Sequence, residues 1–114
     1  MSAKLTNRQV EDVTVIDVSG RLVLGEGASQ LRDALHALAE KGHKKILLNL
    51  GEVTYIDSSG IGELVAAYAS MANREGTLKL LGLTKRVKDL LQITKLYTVF
   101  DVHEDEAHAV KSFT

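Results

Sequence analysis

Residues 55–64 read Tyr-Ile-Asp-Ser-Ser-Gly-Ile-Gly-Glu-Leu and lie between two segments of different periodicity. Upstream, Lys45-Ile46-Leu47-Leu48-Asn49-Leu50 is a short apolar run after a Gly-His-Lys-Lys turn, the pattern of a buried strand. Downstream, Ile61, Leu64, Val65, Tyr68 and Ala72 recur at three- and four-residue spacing, the pattern of one helix face. Between them stand an acid, two hydroxyls and a glycine, residue types that favour helix starts. The stretch is therefore expected to be a loop over 51–57 feeding a helix from Ser58 to about Arg74. Unpaired backbone N–H groups converge at such an end, which attracts negative charge. A serine placed there can be a cap, a nucleophile or a phosphate acceptor.

The rest of the chain surrounds this junction with alternating elements. Residues 5–10 and 13–18 are β-rich runs separated by Glu11-Asp12, the pattern of an antiparallel hairpin. In the second run Val13 and Val15 alternate with Thr14, Ile16 and Val18, so both faces are expected to be covered. Ser19-Gly20-Arg21 reads as the break of that strand, Leu22-Val23-Leu24 as a short extended piece and Gly25-Glu26-Gly27 as a hinge. Ala28, Leu31, Leu35 and Leu38 mark a helix face that Gly42 ends. Residues 77–81 read as another strand, Thr84 as the cap of a third helix and residues 99–102 as a short final strand. Ala107, Val110 and Phe113 mark a helix from Glu104 onward. Helix–strand alternation after a hairpin predicts a mainly parallel sheet with crossover helices. At 114 residues the chain is expected to form a single domain, residues 1–114, with a real core.

Composition removes several function classes. Formal net charge is −1, from 14 basic and 15 acidic residues, which gives no general affinity for nucleic acid or anionic membrane. The chain has no cysteine, so thiolate catalysis and cysteine metal sites are excluded. No apolar run approaches the roughly 18 residues of a membrane span, and the N-terminus lacks the apolar core of a signal peptide. A cytoplasmic location is expected.

Motifs narrow the enzyme readings. The hydrolase elbow reads G-x-S-x-G, whereas Ile56 and Asp57 precede Ser58 here. An aspartyl-phosphate role for Asp57, as in receiver domains, would need further acids beside the first strand, where this chain has a hairpin. His103 and His108 are five apart, which does not put both rings on one helical face, and the acids between them suit a helix start. The phosphate-loop pattern Gly-Lys-Ser/Thr is absent. No cofactor or metal is expected. A cap alone, however, does not account for a second hydroxyl or for Gly60 and Gly62, each unfavourable by up to ~1 kcal/mol inside a helix. Glycine there permits close approach of another backbone or a ligand. The junction therefore reads as a recognition surface.

Asp57-Ser58-Ser59-Gly60-Ile61-Gly62, after Leu-Leu-Asn-Leu and Val-Thr-Tyr-Ile, resembles the signature of the STAS domain. More narrowly, the chain resembles the bacterial anti-sigma factor antagonists, in its hairpin, Ser-Gly-Arg-Leu, signature and Lys85-Arg86-Val87. The resemblance implies an α/β STAS fold: a mixed sheet of four or five strands with an N-terminal antiparallel hairpin and helices mainly on one face. It implies a protein-binding switch without catalysis. It further implies that an anti-sigma factor that is also a serine kinase modifies the first hydroxyl after the Asp, here Ser58, and that a serine phosphatase resets it. By the same resemblance, the unphosphorylated chain binds the kinase and frees the sigma factor. The other reading is an unphosphorylated STAS scaffold, or a subunit of a signalling or lipid-transport assembly.

Spacing leaves the helix cap open among Asp57, Ser58 and Ser59. The resemblance assigns the phosphate to Ser58 and leaves Ser59 for structural hydrogen bonding. The expected partner-binding residues are Arg21, Gly25 and Glu26 together with Asp57, Ser58, Ser59, Gly60, Gly62 and Glu63. Segments 20–27 and 60–63 are expected to lie side by side. Many family members carry an acid soon after the Gly-x-Leu that follows the second strand. Here Gly20-Arg21-Leu22-Val23-Leu24-Gly25 has none, and the first acid is Glu26.

Overall fold

The computed structural model of the chain describes residues 3–113, leaving Met1, Ser2 and Thr114 outside it. Strands β1 (Lys4–Val10) and β2 (Val13–Leu22) form the expected hairpin, closed on the Val10–Val13 pair. Helix α1 (Gly27–Glu40), strand β3 (Lys45–Ile56), helix α2 (Ser58–Asn73) and strand β4 (Thr77–Leu81) follow. Helix α3 (Lys85–Ile93), a 3-10 turn (Leu96–Thr98), strand β5 (Val102–His103) and helix α4 (Glu106–Lys111) complete the order. The sheet runs β1-β2-β3-β4-β5; only the β1–β2 pair is antiparallel. This is the expected mixed sheet.

The alternation in β2 decides which face each helix covers. Ile16, Val18 and Leu22 join Ile46, Leu48, Leu50 and Ile56 of β3 under α1, α2 and α3. Leu31, Leu35, Leu64, Val87 and Leu91 are the helical side of that core. Val13, Val15 and Leu47 turn to the opposite face, where Ala109 and Val110 of α4 cover them. The helices therefore lie mainly, though not wholly, on one face. Full burial of a side chain such as Leu64 stabilises by roughly 1.5–3 kcal/mol.

Three boundaries differ from the sequence reading, and two of them build the candidate site. Ser19-Gly20-Arg21 does not end β2: register shifts at Asp17/Ser19 and Gly20/Arg21 carry the strand on to Leu22. The expected loop over 51–57 is instead mostly strand, since Ser19, Gly20, Arg21 and Leu22 pair in parallel with Glu52, Val53, Tyr55 and Ile56. Bulges absorb the irregular residues while the ladder survives on both sides of them. Of β3, strand β4 pairs only with Lys45–Asn49, so the ends of β2 and β3 project past it as a two-stranded rim. The third difference is at residues 99–102, where only Val102 is in a strand. Phe100 turns inward instead and meets Tyr68 edge-on, with ring centroids 5.6 Å apart. Thr84 caps α3 as expected, accepting from the Val87 N–H. No helix among the described residues is long and apolar enough to cross a membrane.

Candidate functional site

The rim ends at Asp57, which ties three segments together. Its extended backbone (φ −111, ψ −172) turns β3 into α2, and its carbonyl accepts the Ile61 N–H at 3.0 Å. One carboxylate oxygen accepts the Gly60 N–H at 3.0 Å, which makes Asp57 the N-cap of α2. The other accepts the Leu24 N–H at 3.1 Å, holding the segment between β2 and α1 against the helix start. The Asp57 N–H in turn donates to the Leu22 carbonyl at 3.3 Å. Partial desolvation pushes the Asp57 carboxyl up, but N–H groups of Gly60, Leu24, Ser59 and Asp57 itself outweigh it. They hold the pKa below the ordinary carboxylate value.

With the cap taken, both serine hydroxyls are left over. Ser58 is the first residue of α2 and is exposed; Ser59 is half-buried. Neither hydroxyl makes a hydrogen bond among the described residues. Structural hydrogen bonding was expected of Ser59, and that expectation fails because the Asp57 carboxylate has the reach and the geometry to cap.

Gly60 and Gly62 serve different ends. A Cβ on Gly60 would stand 2.4 Å from the Leu22 carbonyl oxygen and 2.6 Å from Ile56 Cγ1. Gly60 thus lets the helix start close against the end of β2, the backbone approach anticipated from the sequence. Gly27 plays the same part at the start of α1, where a Cβ would overlap the Arg21 carbonyl. A Cβ on Gly62 meets nothing within 4 Å, so that flank of α2 is open.

Segments 20–27 and 60–63 do come together, through Leu22, Leu24, Asp57 and Gly60. Gly25 (φ +87) makes the turn out of β2, and the exposed Glu26 occupies the N-cap position of α1 without a side-chain cap bond. Glu63 stands apart from the Asp57 hub. It lines the groove of about 330 Å3 between α1 and α2, with Arg32 and His36 on the α1 side. Arg21 lies on the rim beside Tyr55, its register partner in β3. Its guanidinium carbon is 5.4 Å from the Tyr55 ring centroid, and that of Arg86, from the first turn of α3, is 4.3 Å from the same centroid. Sequence reasoning missed Tyr55 and Arg86. An exposed aromatic just before the signature was the only local signal.

The rings of His103 and His108, considered as a metal pair, lie against each other with centroids 5.6 Å apart. His103 Nε2 lies 3.2 Å from the Asp101 carboxylate and 3.4 Å from the Ser112 hydroxyl. Among the described residues no group of acids and histidines is placed to hold a metal ion.

Residues 4–109 match the family model of the STAS domain. The chain belongs to the STAS domain family. The anti-sigma-B factor antagonist of Bacillus subtilis is 30% identical over 102 residues, covering 90% of this chain and 92% of that protein. Among solved structures, the anti-sigma factor antagonist SpoIIAA in its unphosphorylated form superposes with a TM-score of 0.81. It is 21% identical and covers 96% of this chain and 95% of that one. The phosphorylated form of Bacillus SpoIIAA gives 0.75 at 18% identity, covering 97% of this chain and 100% of that one. The mixed sheet and its hairpin are thus those of the STAS anti-sigma factor antagonists.

Proposed function

We propose that this STAS chain is an anti-sigma factor antagonist switched by phosphorylation of Ser58. In its unphosphorylated form it binds an anti-sigma factor with serine kinase activity, and so releases the sigma factor for transcription. The kinase modifies Ser58 and a serine phosphatase restores it, in the cytoplasm, with no catalysis by this chain. The observation that carries the reading is the division of labour at the start of α2. Asp57 does the capping, which leaves the Ser58 hydroxyl exposed and unengaged at the helix N-terminus.

The physical consequence of a phosphate there follows from charge. It adds about −1.5 to −2 and three acceptor oxygens, next to a carboxylate held ionised. The α2 dipole offsets part of that repulsion, by ~0.3–1 kcal/mol at an exposed end. Ser58 contributes nothing to the core, so the fold should persist while the docking surface becomes more negative. Related folds solved with and without phosphate are in keeping with this. The docking face in this reading comprises Arg21, Gly25, Glu26, Asp57, Ser58, Ser59, Gly60, Gly62 and Glu63.

The test is calorimetric titration of the chain, Ser58→Ala and Ser58→Asp into the anti-sigma factor kinase of the same cell. Ser58→Ala should bind like the native chain and accept no phosphate; Ser58→Asp should bind more weakly. Equal binding by all three, with no phosphate transfer to the native chain, would favour an unregulated scaffold instead.

A further inference from the structure

We propose that Arg21, Tyr55 and Arg86 form a bracket for the carboxylates of an acidic segment in the protein partner. The inference rests on reading the β2–β3 rim as the docking face and adds the chemistry of what docks there.

Three elements bring these residues together: the end of β2, the end of β3 and the first turn of α3. Two guanidinium carbons stand within 5.4 Å of one ring centroid, so two like charges share a single aromatic ring. Neither arginine has an ion pair or hydrogen bond among the described residues. By contrast, Arg8 forks onto Asp17 and Glu106, and Lys79 and Lys85 each meet an aspartate. Contact with the ring through the guanidinium plane uses up no N–H donor, so both arginines keep all five for a partner. The position of Arg86 in the first turn of α3, which has no acid, also sets its charge against the helix dipole. Among the described residues, the Tyr55 ring is what offsets these placements, and no acid does.

Carboxylates fit this arrangement best. A guanidinium fork matches a carboxylate with two parallel hydrogen bonds, and two adjacent forks match two acids spaced along one segment. Tyr55 is 37% exposed and Leu24, on the same rim, 76% exposed, which gives the segment apolar footing between its acids. A chain charge of −1 gives no general attraction for a long polyphosphate such as nucleic acid.

The test is NMR titration of the arginine Nε–Hε and tyrosine ring signals with three probes: a hexaglutamate peptide, a hexaglutamine peptide and inorganic phosphate. Hexaglutamate should shift Arg21, Arg86 and Tyr55 saturably and hexaglutamine should not. In Arg21→Gln/Arg86→Gln, checked for folding by circular dichroism, affinity should fall at least about tenfold. Absence of a saturable shift, shifts that persist in the double variant, or phosphate matching hexaglutamate at equal concentration would each overturn the bracket. So would displacement of both Nε–Hε signals when Ser58 is phosphorylated without peptide, since the bracket would then receive the chain's own phosphate. No kinase enters the peptide titrations, so their failure is distinct from failure of the Ser58 switch.

Discussion

Gly60 and Gly62 lie two residues apart on α2, yet replacing each by alanine should move stability in opposite directions. At Gly62 the new methyl enters open space, and the helix loses an unfavourable residue. The gain is about 0.5–1 kcal/mol, from helix propensity and the smaller conformational freedom of the unfolded chain. At Gly60 the same methyl would lie 2.4 Å from the Leu22 carbonyl oxygen. That oxygen accepts the Asp57 N–H, so it cannot retreat without loosening the strand–helix junction. Overpacking of this kind typically destabilises by ~1–3 kcal/mol, and only part is offset by propensity. For a chain of this size each kcal/mol moves the melting temperature by about 3–6 °C. Urea denaturation followed by far-UV circular dichroism measures both. Midpoints that move the same way, or a Gly60→Ala chain more stable than the native one, would refute the close approach that places Ser58 beside the β2 end.

Other consequences can be measured with the same apparatus. Asp57→Ala removes the α2 cap and the tie to Leu24, and should lower stability by about 1–3 kcal/mol while speeding amide exchange in residues 23–26; a change within a few tenths would deny Asp57 its hub role. Lys79, 11% exposed at its side chain, donates to the Ser112 carbonyl and hydroxyl and pairs with Asp101. Lys79→Met should therefore release α4, seen as faster exchange at Ala109 and Val110 and a loss of about 1–3 kcal/mol. Unchanged exchange there would count against the clasp. Acid should destabilise the fold. The Arg8 hydrogen bonds hold Asp17 and Glu106 below their ordinary values, and backbone N–H groups hold Asp57 there. Stability from such groups is full above the unfolded carboxylate pKa, about 4, and is lost as pH falls through the lower folded values. Midpoints should hold from neutral pH to about pH 5 and drop below about pH 4; a midpoint that rises with acid would contradict the sign.

Much of this architecture was legible in local pattern. The hairpin, the helix faces and the Thr84 cap are short-range features, and periodicity reports them directly. The extension of β2 and β3 was hidden because Gly20 and Gly51 look like breaks, while the pairing that overrides them joins residues more than thirty apart. The cap was ambiguous for a different reason. Asp57, Ser58 and Ser59 are all competent acceptors, and only the backbone angles at Asp57 choose among them. Tyr55 and Arg86 could not be linked in advance, since their contact depends on how α3 docks beside the rim.

The central claim is that one phosphate on Ser58 governs partner binding through the surface and leaves the fold intact. The most direct measurement incubates the native chain with ATP and its anti-sigma factor kinase. Phosphopeptide mapping then locates the group, and the purified phosphorylated form is titrated back into the kinase. A single phosphate on Ser58, none on Ser58→Ala, an unchanged circular dichroism spectrum and loss of binding are the predicted results. Phosphate on Ser59, or a Ser58-phosphorylated chain that binds as tightly as before, would contradict the account.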